Sequence, residues 1–339
     1  MIGRIALAVL LALPIAARAD AVADFYKGKT VNVYVGYAAG GGYDQYGRLL
    51  AGFIGKHIPG NPAVVVKNMP GAGSATLANF LYNAAPKDGT AFGIFYAGLA
   101  FGPLFGGERA EGLKFDAIKF TWLGSLEQFT PIGISWHTSA VKTIEDAKTK
   151  ELVVGSSGVQ SSTAVYARLL NRMIGTRFRL VHGYQGSNDI TLAMERGEVA
   201  GFIGWCWDCM KADRPQWIAE HKVNVFLQLG LTPNPEMKDV PFVLDLLSSP
   251  EQRQVFQLIL SELAMARPFA APPGIPAVRA KALRAAFEAT AADPELRSAA
   301  ARAHRAIMPF TGAEIDALLQ EAYALPNGVI AQAAQAMSQ

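Results

Sequence analysis

A glycine-rich turn between a β-branched strand and an amphipathic helix is the most constraining feature of this sequence. The segment at 31–54 reads VNVYVGYAAGGGYDQYGRLLAGFI. Its alternating valines predict a strand, and the apolar residues from Tyr46 to Ile54 recur at helical spacing. The glycines at 40–42 permit a tight turn, and Asp44 is the predicted helix N-cap. The segment therefore predicts a βα unit of an α/β protein.

Two interpretations of this turn remain open. Any βα unit needs a tight turn, so the glycines can be purely structural. The first amides of a helix can also hold an anion, because they are unpaired and lie at the positive end of the helix dipole. The turn is not a nucleotide loop, since no Gly-Lys-Ser/Thr follows and Gln45 stands where the last glycine of GxGxxG belongs.

The N-terminus predicts export. Arg4 precedes an apolar run at 5–17, and Ala-Arg-Ala at 17–19 forms an A-x-A cleavage site, so residues 1–19 are a predicted secretory signal. The apolar run is shorter than the ~20 residues of a spanning helix, which argues against an anchor. Removing this segment would lower the net charge from +3 to +1. A near-neutral protein gives no support for nucleic-acid binding.

The rest of the chain alternates strands and helices. A length of 339 residues with 51% hydrophobic and 17% charged residues suits two packed domains. We predict a parallel sheet from the βαβαβ pattern of the first hundred residues and a second sheet starting near residue 129. The predicted strands are 31–36, 63–67, 91–96, 132–136, 152–155, 178–182, 199–203 and 223–229.

The last third reads as mostly helical. Capping boxes are predicted at 249–252 and 311–314, and Asp293-Pro294 predicts another helix start. The proline-rich segment at 267–276 is a predicted extended connector.

A serine-rich loop is the second candidate anion site. It follows a predicted strand and offers more hydroxyls than a helix cap needs, which favours ligand contact, and ordinary capping stays open as the alternative. A nucleophile elbow is excluded, because Val159 stands where GxSxG requires glycine. The five hydroxyls belong to Ser156, Ser157, Ser161, Ser162 and Thr163.

Cys206 and Cys209 form a CxxC pair, and they are the two cysteines of the chain. A short-loop disulfide, a redox-active thiol pair and a metal site all remain open. A zinc site built from four cysteines is excluded. Aromatic residues lie beside the glycine- and serine-rich loops, and they suggest a cleft with flat apolar walls. They are Tyr43, Tyr46, Tyr184, Trp205 and Trp207.

Taken in order, these motifs resemble the Bug family, the extracytoplasmic solute-binding proteins of tripartite tricarboxylate transporters. The resemblance covers nearly the whole chain after residue 19. It rests on GYAAGGGYD at 36–44, NMPGAG at 68–73, APKDG at 85–89, GSSG at 155–158, YQGS at 184–187, EVAGF at 198–202, DVPF at 239–242 and APPGIP at 271–276.

The resemblance implies an α/β, two-lobed type II periplasmic-binding-protein (Venus flytrap) fold. Residues 20–127 and 232–339 would form lobe 1, and residues 128–231 lobe 2. A monomeric, periplasmic protein without cofactor or catalysis is expected, which binds a small carboxylate and meets the membrane subunits of the transporter. The expected ligand contacts are Gly41, Gly42, Tyr43, Asp44, Ser156, Ser157, Ser161, Ser162, Thr163, Tyr184 and Asp208.

Three departures from the family pattern prevent the transfer of a particular ligand. Tyr96-Ala-Gly98 replaces a Ser/Thr-rich stretch, Gln185 replaces a lysine, and the segment at 205–209 is unusual. Two alternative functions are kept. One is an exported thiol-disulfide oxidoreductase that uses Cys206 and Cys209. The other is a ligand-loaded partner of a sensor rather than of a transporter.

Overall fold

The computed structural model describes residues 15–37, 39–107, 110–158, 161–184, 187–303 and 305–337. Most of the predicted signal, residues 1–14, lies outside these ranges. The first described helix begins at Ile15 and continues past the predicted cleavage site, so cleavage stays a prediction. In the described part of the chain, no helix is both long enough and apolar enough to cross a bilayer.

Strands and helices alternate along most of the chain. The strands are β1 (Thr30–Val35), β2 (Ala63–Asn68), β3 (Ala91–Ile94), β4 (Thr121–Ser125), β5 (Pro131–Trp136), β6 (Leu152–Ser156), β7 (Phe178–His182), β8 (Gly201–Cys206), β9 (Val223–Gln228), β10 (Pro268–Ala271) and β11 (Phe310–Thr311). The helices are α1 (Ile15–Tyr26), α2 (Gly42–Ile54), α3 (Ala75–Asn83), α4 (Gly102–Phe105), α5 (Ile144–Thr149), α6 (Ser162–Ile174), α7 (Ser187–Glu195), α8 (Trp207–Asp213), α9 (Pro215–Ala219), α10 (Pro250–Ala264), α11 (Ala277–Ala292), α12 (Pro294–Arg302), α13 (Gly312–Tyr323) and α14 (Asn327–Met337).

Sheet A has the order β11-β4-β10-β3-β1-β2. Strand β1 pairs in parallel with β2 and β3, as the βαβαβ pattern predicts. The valines of β1 point alternately into the core, where Val31, Val33 and Val35 are fully buried. The other half of the sheet is antiparallel, because β10 pairs with β3 and β4, and β11 pairs with β4. The parallel pairing predicted for the first three strands is confirmed, and the antiparallel strands β10 and β11 come from the last third of the chain, where no strand was predicted.

The predicted connector at 267–276 contains β10, so that prediction is wrong for residues 268–271. Phe269 is fully buried and packs edge-on against Phe92, with ring centroids 6.4 Å apart. Proline starts the strand and ends the segment after it, which is where a strand tolerates proline. The strand forms because it pairs with β3 and β4 and packs into an apolar core. Both the paired strands and the core residues are distant in sequence.

Sheet B has the order β7-β6-β8-β5-β9. Strand β6 pairs in parallel with β7 and β8, whereas β5 is antiparallel to both β8 and β9. All strands of sheet B come from residues 131–228, and the chain passes between the sheets at 126–130 and 229–267. The exact boundaries of the predicted lobes, 20–127 with 232–339 and 128–231, stay a prediction.

In the last third of the chain three helices start at the predicted caps, but one predicted capping box is incomplete. Thr311 and Glu314 form a reciprocal capping box, and Asp293 caps α12 by accepting from the Glu295 amide. Ser249 accepts from the Gln252 amide, but Gln252 Oε1 accepts from the Ser248 amide instead of closing the box on Ser249. The predicted capping box at 249–252 is therefore only half formed.

Candidate functional site

The carboxyl ends of β1, β3 and β4 lie on one edge of sheet A. Strand β10 runs antiparallel to its neighbours, so the residues that precede it lie at the same edge. This edge brings together the glycine turn at 40–42, Tyr96 after β3, Glu127 after β4 and Arg267 before β10. The topology thus gathers residues that are up to 227 positions apart in the sequence.

Helix α2 begins at Gly42, and its N-cap is Gly41, which has no side chain to accept from the first helical amides. The prediction of Asp44 as N-cap is wrong, since Asp44 lies three residues further on. Its buried carboxylate accepts from Gly40 N at 2.8 Å, Arg48 Nε at 2.9 Å and Asn68 Nδ2 at 2.8 Å. Asp44 therefore links the glycine turn to the last residue of β2. Its predicted ligand contact stays untested.

We expect Asp44→Asn to lower the free energy of unfolding by the part that depends on the ionised carboxylate of Asp44. Burial alone would raise the pKa of Asp44, but the bonds from Arg48, Gly40 and Asn68 outweigh it and lower this pKa from 3.8 to about 2. Because the folded pKa is the lower one, the contribution is complete above pH 4 and is lost as pH falls towards 2. It amounts to about 2 kcal/mol.

Urea unfolding of both proteins at pH 7, 4 and 2.5 measures this effect. The variant should be about 2 kcal/mol less stable at pH 7, and the gap should narrow at pH 2.5. Arg48→Met removes one of the three donors and should give a smaller loss. An equal gap at all three pH values would contradict the assignment.

Two stacked tyrosines and an arginine lie beside the glycine turn. The rings of Tyr37 and Tyr43 are 4.4 Å apart, and the Arg267 guanidinium lies 4.3 Å from the centroid of the Tyr43 ring. Such a cation–π contact suits arginine because its planar group stacks well. The terminal nitrogens of Arg267 also reach the glycine turn, since a Cβ on Gly42 would lie 3.2 Å from Nη2.

Arg267 is ion-paired with a buried acid. Its Nε lies 3.1 Å from Glu127 Oε2, and its backbone amide donates to Ser125 Oγ. Burial raises the pKa of Glu127, against the opposing charges of Arg267 and Arg305. Both Nε of Arg267 and Oε2 of Glu127 are buried without a well-aligned hydrogen bond. The pair therefore keeps unused hydrogen-bonding capacity at the sheet edge.

A cavity of about 180 Å³ opens between the two sheets at this edge. Its walls come from the sheet A edge, from α6 beside sheet B, and from the end of α10. The lining residues are Tyr43, Tyr96, Ala97, Phe129, Ser162, Tyr166, Glu262, Leu263, Ala266 and Arg267. Of the residues predicted to contact a ligand, Tyr43 and Ser162 are in this lining.

The serine-rich loop joins β6 to α6. Ser161 is the N-cap and accepts from the Ala164 amide. The hydroxyls of Ser156, Ser161 and Thr163 hydrogen-bond to one another at 2.8–3.3 Å, so these three side chains hold the loop in shape. The side chains of Ser157 and Ser162 are exposed, and Ser162 reaches the cavity.

Tyr184 and Asp208 lie outside the lining of this cavity. The Tyr184 amide donates to Ser156 O at 3.4 Å, which places its half-buried ring beside the serine-rich loop. Asp208 Oδ1 is 2.8 Å from Lys211 Nζ. Gln185, a departure from the family pattern, lies outside the described residues. The predicted roles of Tyr184 and Asp208 in binding stay predictions.

Cys206 and Cys209 form a disulfide at the start of α8. This agrees with the short-loop disulfide among the three interpretations of the CxxC pair. Cys206 is buried and also caps the helix, with Sγ accepting from the Cys209 amide. Within the described ranges, no group of three or more histidine, cysteine, aspartate or glutamate residues could hold a metal ion.

Tyr166, Glu262 and Arg267 escape prediction from the sequence. Tyr166 lies one helical turn after Ser162, so helical spacing from the serine-rich loop could have found it. Glu262 and Arg267 lie either side of the end of α10 and match no motif. A charged pair just before a buried strand is a weak signal, because charged residues also flank strands in ordinary loops.

Comparisons with known proteins agree with this architecture. No protein-family model matches the chain. A protein of Cupriavidus necator, described as a UPF0065 protein in the gbd 5' region, is 25% identical over 238 residues, which is 67% of each chain. A TctC solute-binding protein from Polaromonas has a TM-score of 0.70 at 20% identity, covering 91% of this chain and 99% of its own.

Two further solved structures are similar. The periplasmic binding protein BugD has a TM-score of 0.59 at 18% identity, over 91% of this chain and 97% of its own. This chain has the fold of the Bug and TctC solute-binding proteins. Malate-bound MatC from Rhodopseudomonas palustris has a TM-score of 0.59 at 19% identity, over 89% of this chain and 99% of its own. The predicted resemblance to the Bug family and the predicted α/β binding-protein fold are confirmed.

Proposed function

We propose that this protein is a periplasmic solute-binding protein that captures a small carboxylate between its two sheets. The observation that carries the proposal is the cavity in which the cationic side chain of Arg267 lies beside the glycine turn and across from Ser162. Arginine presents a rigid fork of donors that matches a carboxylate. The malate bound in MatC supports the same chemical class of ligand.

Binding would favour closure of the cleft. Arg267 and Tyr43 belong to the sheet A side, whereas Ser162 and Tyr166 belong to α6 on the sheet B side. A ligand can touch both walls at once only when they are close, so it binds the closed arrangement better and shifts the population towards it. Delivery to the membrane subunits of a tripartite tricarboxylate transporter is the step that we propose to follow. No bond is made or broken in this cycle.

A ligand screen by thermal shift tests the proposal. The protein from residue 20 onwards is heated with mono-, di- and tricarboxylates, with sugars and simple amines as controls. A ligand at 100 times its dissociation constant should add about 2.7 kcal/mol to the free energy of unfolding. This raises the melting temperature of a protein of this size by a few degrees. Shifts confined to carboxylate-bearing compounds support the proposal. An unchanged melting temperature with every carboxylate contradicts it.

The disulfide provides the test against a thiol oxidoreductase. The double variant Cys206→Ser, Cys209→Ser opens a very short loop, so we expect a stability loss of about 2 kcal/mol. The affinity for the carboxylate found in the screen should be unchanged, because neither cysteine lines the cavity. An oxidoreductase would lose its function in this variant, and a reductant-dependent activity in the parent protein would favour that alternative.

A further inference from the structure

The last turn of helix α14 is bonded to two arginines of α6. Arg168 Nη2 donates to Met337 O at 3.2 Å, and Arg172 Nη1 donates to Gln335 O. Both acceptors lie in the last turn of α14, where the carbonyls have no partner within the helix. This end of a helix is also the negative end of its dipole, which favours a nearby cation. The two arginines therefore cap α14 from a different helix.

The spacing of the two arginines agrees with this role. Arg168 and Arg172 lie one turn apart on α6, so their like charges are neighbours and destabilise the helix by itself. Arg172 is exposed, and Arg168 is half-buried. Because both side chains reach the carbonyl end of α14, its partial negative charge offsets their repulsion.

An apolar contact accompanies these hydrogen bonds. Helix α14 packs against α6, and Met337 lies beside Val165 and Tyr166 of α6 around a small cavity of about 30 Å³. Tyr166 also lines the larger cavity proposed to hold the ligand. The end of α14 therefore lies directly behind the α6 wall of that cavity. The buried residues of α14 are Val329, Ala333, Ala336 and Met337.

The start of α14 is held by sheet A. It follows α13, where Asp316 Oδ2 accepts from Arg284 Nη2 at 2.6 Å, and Arg284 Nε also donates to Trp122 O of β4 at 2.8 Å. Tyr323, at the end of α13, donates to Ala100 O after β3 at 2.8 Å. Helix α6 packs on β8 of sheet B. Helix α14 therefore connects the sheet A side of the cleft to the sheet B side.

We propose that α14 is a clasp that holds the α6 wall of the cleft against the sheet A side, with Arg168 and Arg172 as positioning residues. Neither arginine lines the ligand cavity, so both act through α6, which carries Ser162 and Tyr166. This inference rests on the proposed function and adds the element that keeps the cleft closed before a ligand arrives. An apparent dissociation constant rises as the fraction of closed protein falls.

Small-angle X-ray scattering and titration calorimetry test the clasp. The double variant Arg168→Met, Arg172→Met keeps the apolar stems and removes the donors. Without ligand, its radius of gyration should exceed that of the parent protein, and a saturating ligand should return it to the parent value. Its dissociation constant for the carboxylate found in the screen should rise about tenfold, as expected if the closed fraction falls to about a tenth.

Two control variants separate the clasp from a general effect of losing arginines. Arg177→Met is the matched control, because exposed Arg177 also donates to a backbone carbonyl, Thr149 O at 3.1 Å, but within the sheet B side. It should change neither the radius of gyration nor the affinity. The double variant Arg168→Lys, Arg172→Lys keeps a cationic donor at each position and should restore most of the compactness and the affinity.

The outcomes distinguish the clasp from a merely structural contact and from the proposed function. Chemical unfolding gives the stability of each variant. Either an unchanged radius of gyration or an unchanged affinity in the double methionine variant would overturn the inference, whatever its stability. If no carboxylate binds the parent protein, the proposed function fails, and the scattering comparison without ligand still decides whether α14 holds the two sides together.

Discussion

Arg267→Met should lower the affinity for the cognate carboxylate by two to three orders of magnitude. The substitution keeps most of the apolar stem but removes the charged donors that line the cavity beside the glycine turn. Removing one partner of a desolvated charge pair costs about 2–5 kcal/mol, and two to three orders of magnitude, about 2.7–4.1 kcal/mol, lie within that range. Titration calorimetry with the ligand found in the screen measures the loss.

The same substitution also deprives Glu127 of its partner, so stability must be separated from binding. A buried acid without its counter-ion destabilises a fold by several kcal/mol. In the double variant Glu127→Gln, Arg267→Met the unpaired charge is gone, and stability should recover while binding stays lost. Arg179→Met is the matched control, because Arg179 forms an exposed ion pair with Glu151. Full affinity in the double variant would exclude Arg267 from the site.

Gly36→Ala should destabilise the fold by about 1–3 kcal/mol and weaken binding. A Cβ on Gly36 would lie 2.4 Å from the Cβ of Ser74, so one backbone must move. Ser74 is buried in the left-handed region, at φ 72°, and its Oγ accepts from the Tyr96 amide at 2.9 Å. Moving Ser74 therefore shifts Tyr96 in the cavity wall.

Gly52→Ala is the control for this prediction. Gly52 lies inside α2, and a Cβ there would meet no atom within 4 Å. Alanine is the better helix former, so this variant should gain about 0.5–1 kcal/mol. Chemical denaturation gives both values, and ligand affinity should fall only in Gly36→Ala. Similar stability of Gly36→Ala and the parent protein would contradict the prediction, because it would show that the loop after β2 can move away from the added Cβ without loss of stability.

The parallel half of each sheet could be predicted because it is built from local units. In β1 the alternating valines mark the buried face, and the glycine turn marks where strand becomes helix. The antiparallel half could not be predicted in this way. Strand β10 is short, begins at Pro268 and leads to a proline-rich stretch, so its own residues favour a connector. Its partners β3 and β4 are about 150 residues away or more and decide its conformation.

The residues that line the cavity could be predicted only in part, for the same physical reason. Tyr43 and Ser162 follow local motifs, and both line the cavity. Asp44 has the residue type of an N-cap, but Gly41 takes that position and leaves the carboxylate to bond Asn68. Arg267 and Glu262 reach the cavity only because β10, which follows them, pairs with β3 and β4. No local sequence pattern predicts this placement, because it depends on strands that are distant in sequence.

The split origin of sheet A has a consequence for the order of folding. Sheet B uses one continuous segment, residues 131–228, whereas sheet A needs strands from 30–125 together with β10 and β11. Closing a longer loop costs more entropy, and non-local strand pairing is slow. We expect amides of β6 and β8 to gain protection in pulsed hydrogen exchange before those of β4 and β10. The cleft would then be the last part to assemble, so the ligand can act only on a nearly finished chain.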